Sequence, residues 1–377
     1  MTFVAAAGIL RFMPRPIRAT ISAAALAHNL AIARAHAGAA KIWAVVKANA
    51  YGHGILRAAQ ALREADGLAM LDYVEALKLR GSGITKPILM LEGFFKPEDI
   101  VTLLKYKLTP VIHSMAQIEI LEKVSFEGSL DVYLKVNSGM NRLGFTESNL
   151  RLAWNALEAH KGIGTVTLMT HFADAEGEDG IQGQLQWFGL LTRSFHAPRS
   201  YANSAALLRF PEEARADWVR PGIMLYGCSP LPFKSAEEIG LKPAMTLASE
   251  IIGVQHLEKG ERVGYGFSYQ AAREMTIGVI ACGYADGYPR NVGQDGRPGA
   301  TVILRGRRVS IVGRVTMDMI MVDVTGIECA LGETVTLIGR DGDDVVTVAQ
   351  VGQSAGITPY EVLVGMNSRS PRSQHEG

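Results

Sequence analysis

The chain alternates eight times between a short apolar run of strand length and a longer segment with apolar residues at helical spacing. The runs are Lys41–Lys47, Leu68–Leu71, Ile88–Leu91, Leu108–Ile112, Val132–Val136, Val166–Met169, Ser200–Asn203 and Val219–Tyr226. Between them lie Leu56–Arg63, Val74–Arg80, Pro97–Tyr106, Met115–Lys123, Glu147–His160, Gln182–Ser194 and Ser204–Phe210, and a further helical pattern, Ala23–Ala37, precedes the first run. Several runs are apolar throughout rather than at every second residue. That pattern marks strands buried on both faces, the condition of parallel strands covered by helices. Eight in succession fit a closed (β/α)8 barrel of the TIM type. At 377 residues, 48% of them hydrophobic, the chain can bury this barrel and a second domain.

Beyond Pro230–Pro232 the texture changes. β-branched runs cut by glycine turns, among them Val302–Leu304, Val309–Val312, Met319–Val324 and Val335–Ile338, predict a C-terminal, mostly antiparallel β domain. The expected boundaries are a leader over 1–16, the barrel over 17–240, the β domain over 241–367 and a disordered polar tail over 368–377. In the leader, Phe3–Leu10 has no basic residue ahead of it and Arg11 ends it early. It reads as a non-secreted segment, with Met13 an alternative start.

Composition narrows the function classes. A net charge of +1 leaves no electrostatic footprint for nucleic acid or a membrane surface. No apolar run reaches the eighteen residues of a spanning helix. Cys228, Cys282 and Cys329 are odd in number, far apart and without metal-ligand spacing. They read as core thiols in a reducing cytoplasm, with no metal site.

The chemistry is concentrated in Ala44–Gly54, AVVKANAYGHG, where Lys47 ends an apolar run. A lysine there is costly unless its charge is paired or its pKa is lowered, and a lowered pKa is what a Schiff-base amine needs. Barrels of this type also place a phosphate in the loops after strands seven and eight. Those loops hold Asn203-Ser204 and Pro221-Gly222-Ile223. Ser204 offers a hydroxyl at a helix start, and Gly222 lets backbone N–H groups approach an anion. Taken singly, each of these residues reads equally well as a cap or a turn.

Together, in order from about Met13 to Tyr360, these motifs resemble the alanine racemase family. The resemblance implies that Lys47 carries pyridoxal 5'-phosphate and that Tyr51 touches its phosphate. In KVNSGMNRLGF it implies that Arg142 aligns the substrate, with Lys135 a site of carbamylation that would turn a repelling cation into an anionic partner. His171 resembles the family's strand-six histidine, Asn203 and Ser204 its strand-seven phosphate contact, and Gly222 and Ile223 belong to the adjoining cradle. Arg220, in WVRPGIMLYG, matches the arginine facing the cofactor's pyridine nitrogen. In the β domain, Tyr265 resembles the second catalytic base and Tyr284 a residue of the substrate entrance. Met317 resembles a contact to the substrate carboxylate, and Tyr360 another phosphate ligand.

The activity so implied is racemisation of L- and D-alanine by two bases on opposite faces, supplying D-alanine for peptidoglycan. Lys47 would serve the D-enantiomer and Tyr265 the L-enantiomer. A phenol ordinarily titrates near ~10, so it needs help at neutral pH, and His171 is the implied helper. A head-to-tail homodimer with shared sites is implied as well, because the short Ser229–Lys242 segment ties the β domain to its own barrel. Two other readings stay open. A broader-specificity amino-acid racemase differs only in pocket dimensions. A related barrel-type decarboxylase would want an acidic partner where Arg220 stands.

Overall fold

The structure, a computed structural model, describes residues 15–294, 296–366 and 372–375. The Met13 start and the rest of the leader up to residue 14 lie outside them. Eight parallel strands close into a barrel: Lys41–Val45, Gly67–Met70, Ile88–Met90, Leu108–Ile112, Leu130–Lys135, Ile163–Met169, Arg199–Ser200 and Trp218–Val219. Closure is made where Lys41 and Ile42 pair with Trp218 and Val219. The runs that are apolar throughout are buried throughout, as in Gly67–Met70 and Ile88–Met90. Inside, Trp43 stacks on Trp218 at 4.4 Å and donates its indole N–H to the Tyr133 hydroxyl at 2.7 Å. That bond satisfies the polar end of a fully buried side chain.

The last two strands are shorter than their sequence implies. Over Ser200–Asn203 only Ser200 is in a strand, and Asn203 instead caps the helix Ser204–Arg209 by accepting the Ala206 N–H at 2.9 Å. Over Val219–Tyr226 the strand ends at Val219, and Ile223–Tyr226 winds into a 3-10 turn. The Pro221 carbonyl still accepts the Val45 N–H at 3.0 Å, and the chain leaves the barrel wall only at Gly222, where the turn begins. The first run also stops early, at Val45, because Lys47–Tyr51 forms a helical turn.

The second layer is a largely antiparallel sheet whose spine is Met245–Leu257. Met275–Ile280 and Thr334–Asp341 both pair with it, and Thr301–Leu304 extends the sheet. Arg18–Ser22, within the stretch read from sequence as barrel, is antiparallel to Met245–Ala248 in this sheet. Alternation cannot say which sheet a lone strand joins. Ser22 then caps the first helix, Ala23–Ala37, by accepting the Ala25 N–H. Of the tail read as disordered, Arg372–His375 is a strand parallel to Arg18–Ser22. Main-chain bonds to an open sheet edge need no apolar side chains, so a polar composition does not exclude them. The other tail residues, 368–371 and 376–377, lie outside the described ones. No helix among the described residues is long and apolar enough to cross a membrane.

Candidate active site

A cavity of about 280 Å³ opens where the barrel strands end. Its wall takes Lys47 after the first strand, Leu71 after the second, Leu91 and Glu92 after the third, and Lys135 at the end of the fifth. Met169 and His171 follow from the sixth, Asn203 and Ser204 from the seventh, and Arg220, Gly222 and Ile223 from the eighth. Arg142 hangs over it from a loop folded back on the fifth strand, where the Phe145 N–H donates to the Lys135 carbonyl at 2.8 Å.

The turn that carries Lys47 is left-handed. Ala48, Asn49, Ala50 and Tyr51 all have φ between 50° and 55°. Each such residue costs roughly 1–2 kcal/mol in an L-amino-acid chain, so surrounding contacts must hold the turn. Glu75 accepts the Asn49 N–H at 2.6 Å, and the Asn49 side chain accepts the Ile55 N–H at 2.8 Å. At Gly52, φ is 80° and a β-carbon would come 2.3 Å from the Leu363 carbonyl oxygen. The turn thus presses against the helix Pro359–Gly365, and that helix brings Tyr360 into the barrel cavity. Tyr51 lies between two rings, Tyr226 at 4.6 Å and Tyr360 at 6.0 Å.

Four cations, Lys47, Lys135, Arg142 and Arg220, line the cavity with one carboxylate, Glu92. Burial holds the Lys47 amine below its ordinary pKa; Arg142 lowers it further and Glu92 opposes. Lys135, almost wholly buried, is pushed down to about 8 by burial, with Arg220 and Arg142 adding repulsion. His171 lies well below its usual value, because burial and the surrounding cations both disfavour the imidazolium. Burial raises Tyr51 and Tyr360, so both remain hydroxyl donors. Such a cavity is complementary to an anion.

Arg220 is buried, and burial lowers it to about 10, still protonated at neutral pH. Its terminal nitrogens donate to the Ser200 hydroxyl at 2.5 Å, to the Thr170 carbonyl at 2.6 Å and to the Tyr201 carbonyl at 3.3 Å. Its Nε–H has no partner among the described residues. Across the cavity, the Ser204 hydroxyl accepts the Gly222 N–H at 2.8 Å. The Gly222 N–H is therefore already engaged, and glycine is required there for another reason: a β-carbon would lie 2.7 Å from the Tyr51 hydroxyl oxygen.

Three sequence candidates are absent from this wall. Tyr265 is 73% exposed and Met317 52% exposed, both on the β domain. Tyr284 joins them through its N–H to the Thr316 carbonyl and the Ala285 N–H to the Met317 carbonyl, each 3.0 Å. The Arg290 guanidinium lies 6.0 Å over the Tyr284 ring. One chain therefore carries two separate clusters, one in the barrel mouth and one on the β domain. Sequence reasoning missed Glu92, whose only signal is an acid directly after the apolar run Ile88–Leu91. Among the described residues no group of three or more His, Cys, Asp or Glu could hold a metal ion.

The comparisons with known proteins cover nearly the whole chain. The family described as alanine racemase, N-terminal domain, matches residues 21–230, and alanine racemase, C-terminal domain, matches 244–374. An alanine racemase of Nitrosospira multiformis is 49% identical over 364 residues, covering 96% of this chain and 99% of its own. One of Paraburkholderia phytofirmans is 49% identical over 361 residues, covering 95% and 99%. The crystal structure of the biosynthetic alanine racemase of Pseudomonas aeruginosa superposes with a TM-score of 0.90 at 40% identity, covering 96% of this chain and all of that one. Fold and both halves of the sequence converge: the chain belongs to the alanine racemase family.

Proposed function

We propose that the chain interconverts L- and D-alanine with pyridoxal 5'-phosphate, and that it does so as a head-to-tail homodimer in the cytoplasm, supplying D-alanine for peptidoglycan. The observation that carries the reading is a single cavity holding an amine of lowered pKa, a buried arginine with a spare Nε–H, and a cluster of hydroxyls. Those groups fit the cofactor. Lys47 would take its aldehyde carbon, Arg220 its ring nitrogen, and Tyr51, Ser204, Ile223 and Tyr360 its phosphate, with Gly222 leaving room for the Tyr51 hydroxyl and Asn203 fixing the helix that presents Ser204. Bound there, pyridoxal phosphate supplies an electron-withdrawing ring that stabilises negative charge at the α-carbon of an attached amino acid.

The chain's own residues do the rest. Arg220 can only donate, which keeps a ring nitrogen facing it unprotonated and tempers the electron withdrawal. Lys47 accepts or returns the α-proton on one face, its lowered pKa leaving more of the amine neutral for that task. Tyr265 serves the opposite face, with His171 supporting its proton. Arg142 aligns the substrate and the Met317 loop meets its carboxylate; Tyr284 stands at the entrance. An amine titrating near 8 at Lys135 offers the neutral form that attacks carbon dioxide, losing one proton to give a carbamate. That anion would pair with Arg142.

Tyr265 needs a partner subunit to complete the site, since it lies apart from the cavity of its own chain. The free thiols Cys228, Cys282 and Cys329 suit a reducing compartment. The test is direct. Purified protein loaded with pyridoxal phosphate, reduced with borohydride and digested should carry the label on the Lys47 peptide, and a panel of single amino acids should show racemisation of alanine. Label on another lysine, or no alanine turnover, would overturn the assignment.

A further inference from the structure

The left-handed turn raises a question the cofactor contacts do not answer: what keeps Lys47 and Tyr51 at a fixed separation when the backbone between them is strained. His53 is fully buried two residues beyond Tyr51. Its Nδ1 lies 3.0 Å from the Ala50 carbonyl and 2.9 Å from the Tyr51 carbonyl. Both neighbours are acceptors, so Nδ1 carries the proton and donates to both. The imidazole packs 4.7 Å from the Tyr226 ring, whose other neighbour at 4.6 Å is Tyr51 itself. The Tyr226 hydroxyl donates to the Val45 carbonyl at 2.9 Å, at the end of the strand that delivers Lys47. The contacts close a ring: strand end, Tyr226, His53, the carbonyls of the turn, and Tyr51.

We propose that His53, braced by Tyr226, is a positioning residue that locks the left-handed turn, so that the Lys47 amine and the Tyr51 hydroxyl engage the two ends of one ligand at once. The proposal rests on the pyridoxal phosphate reading. It says that the phosphate end of that ligand is gripped through His53, although His53 does not line the cavity. A residue that merely filled space would support folding without affecting which end of the ligand is held. A lock on Tyr51 weakens the phosphate end selectively when it is removed.

The experiment compares binding of pyridoxal phosphate and of pyridoxal, which lacks the phosphate, to the full-length apoprotein. His53→Leu keeps the size and loses the donor, whereas His53→Asn places an amide N–H near the position of Nδ1. The leucine variant should lose about tenfold of the preference for the phosphorylated form, and the asparagine variant should recover most of it. Tyr51→Phe should cost preference in the wild-type background and little more on top of His53→Leu, because the two residues act as one unit. An unchanged preference in His53→Leu, or fully additive losses, would overturn the proposal. If His53→Leu does not fold, Tyr226→Phe, which removes one hydroxyl, makes the same comparison, and an unchanged preference there overturns it too. Absence of pyridoxal phosphate binding by the wild-type protein would instead overturn the cofactor reading, and this inference with it.

Discussion

Gly222 and the Tyr51 hydroxyl approach each other so closely that a β-carbon on residue 222 would stand 2.7 Å from the oxygen. Tyr51 cannot swing away, because Tyr226 stacks on one side and Tyr360 lies on another. Gly222→Ala should therefore push the 222 loop away from the held hydroxyl and loosen the contact between them. The expected loss is tenfold or more in pyridoxal phosphate affinity, with about 1–3 kcal/mol of overpacking cost to stability. Equilibrium dialysis and urea denaturation read the two effects separately.

Lys47 has a chemical role that no other cavity residue duplicates. Lys47→Ala should bind pyridoxal phosphate without forming a borohydride-reducible bond, and alanine turnover should fall by on the order of 10²–10⁴-fold. Peptide mapping after reduction checks the first result, and a coupled assay in both directions checks the second.

Two bases on opposite faces fail unequally. Tyr265→Phe should block α-proton exchange from L-alanine in deuterated water far more than from D-alanine, since Lys47 still serves the other face. Equal losses measured by NMR would show that Tyr265 only shapes the pocket.

His171 gives the fold a pH signature. Its folded-state pKa is lowered well below 6.5, while the unfolded chain protonates near 6.5. Below that value the unfolded state binds the extra proton, so its stabilising effect is complete above about pH 6.5 and is lost as pH falls, by up to about 1.4 kcal/mol per pH unit. His171→Gln should flatten the fall in urea midpoint between pH 6.5 and 5. A slope equal to that of the wild type would show that His171 takes up its proton as readily in the fold as in the unfolded chain.

Separation of Tyr265 from the barrel cavity calls for a mixing test. Refolding Lys47→Ala together with Tyr265→Phe should give hybrids with one intact and one doubly damaged site, and random pairing should return roughly a quarter of wild-type activity. Activity that stays at the level of the separate variants, with subunit exchange confirmed, would place both residues in one chain's site.

The barrel was legible because doubly buried strands carry a signal in every residue, and Ile88–Met90 or Gly67–Met70 need no neighbour to be read. The late strands were not, since Asn203 ends one by capping the next helix and Gly222 ends the other by opening a 3-10 turn, and hydropathy reads neither. In the site, Lys47, Tyr51, Ser204 and Arg220 stood out only as an ordered set of motifs. The left-handed conformation from Ala48 to Tyr51 left no trace, because three of its residues are of types that favour the opposite hand. Glu92 escaped because one acid after an apolar run is indistinguishable from an ordinary strand end.

The pairing of Arg18–Ser22 with Met245–Ala248 bears on how the chain is made. A ribosome releases the first of these segments roughly 220 residues ahead of the second, tens of seconds at ~5–20 residues per second. During that interval the barrel can assemble by local contacts, each strand meeting the next within a few dozen residues until Trp218–Val219 closes on Lys41 and Ile42. Arg18–Ser22 meanwhile stays an unclaimed ribbon beside a nascent barrel. Completion of the sheet is thus a late, long-range event, and a chain arrested before Met245 leaves that ribbon free to find a stranger.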